Sequence, residues 1–344
     1  MRAPFRVALI GLGNVGGALA RRLVEDADRI TLAAGRPIAL EGIAVAHPEG
    51  RRAPAPLRPA VQLLAQPQLD AIVEVMGGIE PASTYISTAL QAGRQVITAN
   101  KQLVAAQGPP LACLGPLRFE ASVASAIPIV ETLADALGAD RIGSIMGILN
   151  GTTNSMLAAM GGGASYADAL ADAQRRGLAE ADPSADVDAH DPAAKLAILA
   201  MLAFRRRIDP SQIARVGIRD LGPGQMEDGR RRGFVIKLIA AAAIHDGARI
   251  EADIRPRLVP ADAPMARVHG AMNAIALDAE YAGSLIFEGP GAGPDAAASA
   301  VLADLIRAAK GVPPSAGSLL ATLADTSPVT VVPLGPTAPY PAAS

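Results

Sequence analysis

Apolar residues recur along this chain in two textures. Short aliphatic runs bounded by glycine or proline read as buried strands, and longer alanine-rich stretches with polar residues at helical spacing read as helices. Residues 5–23, FRVALIGLGNVGGALARRL, give strand, glycine turn and amphipathic helix in succession. PIALEGIAVA (37–46), LDAIVEVM (69–76), RQVITAN (94–100) and LRFEASVA (117–124) continue as strands, with EPASTYISTALQAG (80–93) as a helix. That alternation predicts a parallel sheet wound with helices.

From about residue 141 the texture changes. RIGSIMGIL (141–149) and RIEADIRPRLV (249–259) read as sheet, with long alanine-rich helices between them. GPGAG (289–293) breaks the pattern ahead of AAASAVLADLIRAAK (296–310), a helix expected to pack back on the first domain. The tail from Gly311 is rich in Pro, Ala and Ser, carries one apolar run, VTVVPL (329–334), and is expected to end loosely. The fold class is therefore α/β: a doubly wound parallel sheet over 1–140, joined by 294–344, and a second α+β domain over 141–293.

Gly11, Gly13 and Gly16 stand in G-x-G-x-x-G spacing at the first strand-to-helix junction, with Asn14 and Val15 between them. This is the dinucleotide fingerprint of a Rossmann-type domain: Gly11 permits the turn, Gly13 lets the backbone approach a pyrophosphate, and Gly16 lets helix and strand pack closely. A structural glycine turn accounts for the same residues. Ligands of such sheets sit beyond the carboxyl ends of the strands, where Gly77, Gly78, Asn100, Lys101 and Glu120 fall. No acid closes the second strand, and Arg51 and Arg52 follow it, which tilts the expectation from NAD towards NADP. Solvated surface arginines are the plainer account of that pair.

Composition excludes several classes. With 344 residues, a net charge of −2 and 3% aromatics, the chain has no basic stripe to track phosphates and little to stack bases, so no nucleic-acid partner is expected. Cys113 is the lone thiol, which leaves no disulfide framework and fits a reducing, cytoplasmic setting. Mean hydropathy is +0.28, but alanine causes it; Lys237 interrupts the most apolar run, FVIKLIAAAAI, and no membrane span is expected. Arg2 and Arg6 before VALIGLG imitate a signal peptide until Gly11, Gly13 and Asn14 break it. Of 31 basic residues only Lys101, Lys195, Lys237 and Lys310 are lysine. A lysine offers a titratable amine that arginine does not.

The stretch GLAEADPSADVDAHDPAAKLAILA (177–200) gathers Glu180, Asp182, Asp186, Asp188 and Asp191 ahead of an apolar helix. Asp191-Pro192 reads as a helix start with Asp191 as cap, and Lys195 lies one turn further on the same face. A cap plus a surface ion pair explains as much. A calcium loop on Asp182, Asp186 and Asp188 fails for want of its glycine and distal glutamate.

This stretch, together with GLGNVG, VEVMGGIEPA, TANKQLVA, FEASVASAIPIVETL, GILNGTTN, GFVIKLIA, MNAI and GPGAG in order, resembles homoserine dehydrogenase over residues 5 to 310. The resemblance implies NAD(P)-dependent interconversion of L-homoserine and L-aspartate 4-semialdehyde in threonine and methionine biosynthesis. It gives Lys195 as acid/base beside Asp191, with Lys101 polarising the oxygen; Glu180 on the substrate ammonium; Gly151, Thr152 and Asp186 as further substrate contacts; and Gly291 with the fingerprint loop on the cofactor. Glu120, Val123, Ser125 and Ile127 correspond to a monovalent-cation loop, Na+ or K+, in some members. The second domain would bind substrate and pair subunits, as a homodimer or homotetramer. Departures from the family pattern are Ala124, Ser125 and Ala126 where glycines are usual, Ala297 in place of threonine, and a short linker before Glu120. No C-terminal regulatory domain of the ACT type is expected.

Two other readings compete. A catalytically silent nucleotide-binding redox sensor needs the fingerprint but not Glu180, Asp191 and both lysines together. Aspartate-semialdehyde dehydrogenase needs a cysteine nucleophile, and Cys113 sits in PPLACLGP without that context.

Overall fold

A computed structural model of the chain describes residues 2–335. The expectations for 336–344, a loose tail packed with the first domain, lie outside the described residues.

The chain opens with β1 (Phe5–Ile10), α1 (Asn14–Glu25), α2 (Ala27–Ala34), β2 (Ile38–Ala44), α3 (Ala60–Leu64) and β3 (Ala71–Glu74). It continues with α4 (Ala82–Gln91), β4 (Gln95–Thr98), α5 (Lys101–Ala112) and β5 (Leu117–Arg118). The five strands form one parallel sheet in the order β2-β1-β3-β4-β5. Its inner strands are buried on both faces, as parallel sheets require, so they read as continuous apolar runs. The order reverses between β1 and β3, and the loops leaving those strands meet: a Cβ on Gly11 would lie 2.9 Å from the Val75 carbonyl. Gly11 also holds φ +106°, a conformation that favours glycine. Two sequence expectations fail here. LRFEASVA is strand only at Leu117–Arg118, because the chain turns at Glu120. Cys113 closes α5, which runs through Pro109 and Pro110, instead of sitting in a loop.

Next come β6 (Ile142–Ile148), α6 (Gly151–Gly161), α7 (Tyr166–Arg175), α8 (Ser184–Val187), α9 (His190–Phe204) and β7 (Ala214–Arg215). They are followed by α10 (Pro223–Arg231), β8 (Phe234–His245), β9 (Arg249–Pro260), β10 (Met272–Ala279) and β11 (Gly283–Pro290). FVIKLIAAAAI, expected among alanine-rich helices, is β8. Alanine has weak strand propensity, but β8 pairs along its whole length with β9 and at Ala240–Ala243 with β6, so tertiary pairing overrides it. The row Ile286, Ala276, Met146, Ala241 crosses four strands in register. It floors a hollow of about 390 Å³, where Ile286 remains 51% exposed.

Finally α11 (Pro294–Lys310) and α12 (Ser315–Ala321) precede β12 (Val331–Val332). Contacts divide the described residues into two compact units, 2–138 with 293–326, and 139–292 with 327–335. In the first, α11 packs on α1 and α2. The tail differs from expectation: α12 orders part of it, and β12 adds in parallel to β9 of the second unit.

The tightest constraint in the first unit is Gly16, whose added Cβ would lie 2.1 Å from the Gly11 carbonyl oxygen. Gly16→Ala should cost about 1–3 kcal/mol of stability by forcing helix and turn apart. A thermal melt unchanged from wild type would show that this packing is not needed.

Candidate active site

In the first unit a buried carboxylate organises the loops at the ends of the strands. Glu74 accepts the Met76 and Gly77 N–H groups at 2.8 and 3.2 Å and the Thr98 hydroxyl at 2.5 Å. Thr98 Oγ1 accepts the Asn100 N–H at 3.0 Å. Asn100 then caps α5 through Leu103 N–H at 3.1 Å and donates to the Gly78 carbonyl at 2.5 Å. Gly77 and Gly78 hold φ +75° and +76°. Lys101, half-buried, is the first residue of α5. Gly77, Asn100 and Lys101 are thus gathered by Glu74 and Thr98, which the sequence reading missed; the signal was an acid inside an apolar strand.

Around the glycine turn, no side chain caps α1 at Gly13, and a Cβ there would meet nothing within 4 Å. The open N-terminus over Asn14 and Val15 suits an anion. Arg51 donates to the Leu12 carbonyl at 3.2 Å and, with Leu12, Arg21 and Arg52, lines a cavity of about 500 Å³. These residues fit a dinucleotide that supplies hydride chemistry when bound.

Glu120 has a structural task of its own, apart from the cation ligation suggested by resemblance. Its two oxygens accept the Val130 and Glu131 N–H groups at 2.9 and 3.0 Å, so it caps the helix that starts there. Burial pushes its carboxyl above the ordinary range. Val123 and Ile127 are buried, and Ala124 and Ser125 hold φ of 52° and 50°. The cap accounts for the buried carboxylate; no cluster of three or more His, Cys, Asp or Glu able to hold a metal occurs among the described residues.

In the second unit the acidic stretch converges on the start of α6. Asn150 caps α6 through its Oδ1, which accepts the Thr153 N–H at 2.9 Å. Its Nδ2 donates to Asp186 at 2.7 Å and to Asp191 at 2.8 Å. Asp191 Oδ2 also receives Lys195 Nζ at 2.7 Å, and Lys195 donates to the Leu149 carbonyl at 2.8 Å. Lys195 and Asp191 are both buried, so this is no surface ion pair. Asp191 is not the cap expected from sequence: α9 starts at His190 after Ala189, which holds φ 62°, because the Asp191 carboxylate is engaged by Asn150 and Lys195. Burial first, then the Asp191 charge, raises the Asp186 carboxyl above its ordinary range.

Gly151 must be glycine, since a Cβ would lie 2.7 Å from the Ala271 carbonyl oxygen. Thr152 donates to the Leu178 carbonyl at 2.8 Å, tying α6 to the loop that carries exposed Glu180. Asp182 and Asp188 are spent elsewhere, on the Ser184 N–H at 3.0 Å and on Arg219 at 2.5 Å. Gly291 has a local reason, for a Cβ there would reach Asn273 Oδ1 at 2.0 Å.

The family profile described as homoserine dehydrogenase matches residues 128–306, and that of its NAD-binding domain matches residues 11–113. A homoserine dehydrogenase of Corynebacterium glutamicum is 43% identical over 318 residues, covering 88% of this chain and 72% of that protein. The crystal structure of a homoserine dehydrogenase from Thiobacillus denitrificans superposes with a TM-score of 0.90 at 35% identity, over 96% of this chain and 80% of that one. A hyperthermophilic archaeal homoserine dehydrogenase mutant, in complex with NADPH, superposes at 0.76 with 26% identity over 91% and 99% of the two chains.

Removing the junction amide tests the site. Asn150→Ala should cost about 2–4 kcal/mol, the sum of a lost cap and two carboxylates short of a donor. Asn150→Asp should cost more at pH 8 than at pH 5, because carboxyls raised in the folded state bind protons more tightly there and lose stability as pH rises. Denaturant titrations at both pH values check this, and equal losses would refute it.

Proposed function

The chain belongs to the homoserine dehydrogenase family of NAD(P)-dependent oxidoreductases, and we propose that it interconverts L-homoserine and L-aspartate 4-semialdehyde with Lys195 as the acid/base group. The observation that supports this most is the buried Lys195–Asp191 pair held at the start of α6 by Asn150. In oxidation the neutral amine of Lys195 would take the hydroxyl proton, and in reduction its ammonium would return it; a dinucleotide held at the glycine turn would supply the hydride chemistry. Asp191 and the Leu149 carbonyl fix the amine's direction, so no reorientation is needed as charge develops. Gly151 and Thr152 offer the α6 N-terminus to the substrate carboxylate, and Glu180 meets its ammonium. Lys101 polarises the reacting oxygen. A silent redox sensor would have no use for a buried lysine–aspartate pair at the start of α6.

Cofactor choice and assembly belong to the same proposal. Arg51 and Arg52 line the cavity beside Leu12, and no acid sits at the end of β2, which favours a 2′-phosphate and hence NADP. Two copies are proposed to pair as a homodimer over the hollow at Ile286, covering apolar surface that a lone chain would expose. No helix among the described residues is long and apolar enough to cross a membrane.

Absorbance at 340 nm with homoserine and either cofactor tests the reaction. Lys101→Ala should lose ~10²-fold or more in kcat at unchanged thermal midpoint, and Lys195→Ala should lose as much while also lowering the midpoint, because it leaves the buried Asp191 carboxylate without its cation. Nucleotide binding without turnover by the wild type would favour the sensor instead. Arg51→Ala with Arg52→Ala should raise KM for NADP+ at least ~10-fold while leaving that for NAD+ within about 2-fold, since a charge-assisted phosphate contact is worth about 1.5–3 kcal/mol. Equal changes for both cofactors would refute the role. Light scattering should give twice the chain mass, and half of it for Ile286→Arg; a monomeric wild type would overturn the pairing.

A further inference from the structure

Lys237 is buried in the second unit, and among the described residues no carboxylate answers it. It is 4% exposed on β8, and its amine donates to Asn154 Oδ1 at 2.9 Å and to the Val268 carbonyl at 2.5 Å, both neutral oxygens. Lysine is rarely buried unless paired, as Lys195 is with Asp191. An ammonium has three donors, so two bonds leave one to place. Burial alone pushes the amine down to about 8.

The same lysine lies in the wall of a cavity of about 190 Å³, room for about six water-sized volumes. Leu157 of α6, Met226 of α10 and Ile236 of β8 make its wall apolar. Arg230 and His269 complete its polar lining, and no Asp or Glu lines it among the described residues. The other charges near Lys237 are already matched or are cationic. Arg257, directly opposite on β9, pairs with Asp253 at 2.7 Å, and Arg230 on α10 pairs with Glu227. His269, in the loop before β10, adds positive charge when protonated. An unanswered cation in an apolar cavity of this size selects an anion with a short aliphatic tail.

We propose that this cavity is a second ligand site, taking a small monocarboxylate with a branched apolar tail whose carboxylate pairs with Lys237. The tail lies against Leu157, Met226 and Ile236. Pairing favours the charged amine, so binding near pH 8 draws in a proton, and affinity falls as pH rises above about 8.

The test is calorimetric titration of the whole chain, without dinucleotide or homoserine, using 4-methylpentanoate and, for comparison, 4-methylpentan-1-ol. The acid should bind at one site per chain, with proton uptake at pH 8 seen as a buffer-dependent heat, and the alcohol should bind at least ~10-fold more weakly. Lys237→Met should lose ~10–100-fold in affinity, the scale of a charge-assisted bond. Gly161→Leu also lines the cavity, at a helix position where an added Cβ meets nothing within 4 Å, and should weaken binding while leaving the melt unchanged. No saturable heat at millimolar acid overturns the proposal, as does equal affinity in Lys237→Met or displacement by excess L-homoserine. Should Lys237→Met fail to fold, wild-type affinity in Gly161→Leu overturns it. Turnover enters none of these readouts, so their failure leaves the oxidoreductase reading untouched.

Discussion

One amide holds the second unit's chemistry together. Asn150 offers an acceptor and two donors, and uses the first to cap α6 and the others on Asp186 and Asp191. Two carboxylates so close repel, and Asp191, buried, with Asp186, half-buried, would each cost stability if left without donors. A hydroxyl has one proton and could not serve both; a lysine would give charge but no acceptor for the helix. The amide does both without adding charge, which leaves the Lys195 ammonium to balance the pair of acids. Ala189 in the left-handed region is the local cost, offset by the bonds that the turn lets Asp191 make.

The first unit solves the same problem with backbone N–H groups and a hydroxyl in place of the amide. Glu74 is a charge buried at the end of a strand, and its acceptors are satisfied by backbone N–H groups and a hydroxyl. Those donors belong to the loops after β3 and β4, so one carboxylate sets both, and Asn100 passes the order on to Gly78 and to the start of α5, where Lys101 sits. The backbone at Gly77, Gly78 and Asn100 is therefore set by one rigid buried group, Glu74, acting through Thr98.

Sequence made some of this legible. Glycine spacing at a strand-to-helix junction has few physical explanations, and a four-residue separation on a helix brings Asp191 and Lys195 together whatever the fold. Scarcity of lysine made Lys195 and Lys101 stand out. Asn150 and Glu74 were hidden because their partners are far off in the chain, at 186, 191 and 98, so no local spacing announces them. The alanine run at β8 misled for a related reason: its strand state is imposed by β6 and β9, and nothing in Ala240–Ala243 itself prefers it.

The loop at 120–131 shows how a departure from the family's glycines is sustained. Ala124 and Ser125 both hold positive φ, where each Cβ costs roughly 1–2 kcal/mol relative to glycine. Fixed anchors flank the strained turn: Glu120 takes the Val130 and Glu131 N–H groups, and the Glu120 N–H is itself bound by Asp304 on α11 at 2.9 Å. Asp304 is wholly buried and its carboxyl is pushed up to about 7, first by burial and then by the Glu120 charge. Protonation at Asp304 relieves the repulsion between the two acids, so the stability this group contributes is present at low pH and is lost as pH rises through about 7. Strain in the turn and charge in its anchor are thus separate costs that add, and glycines at 124 and 125 would remove the first without touching the second.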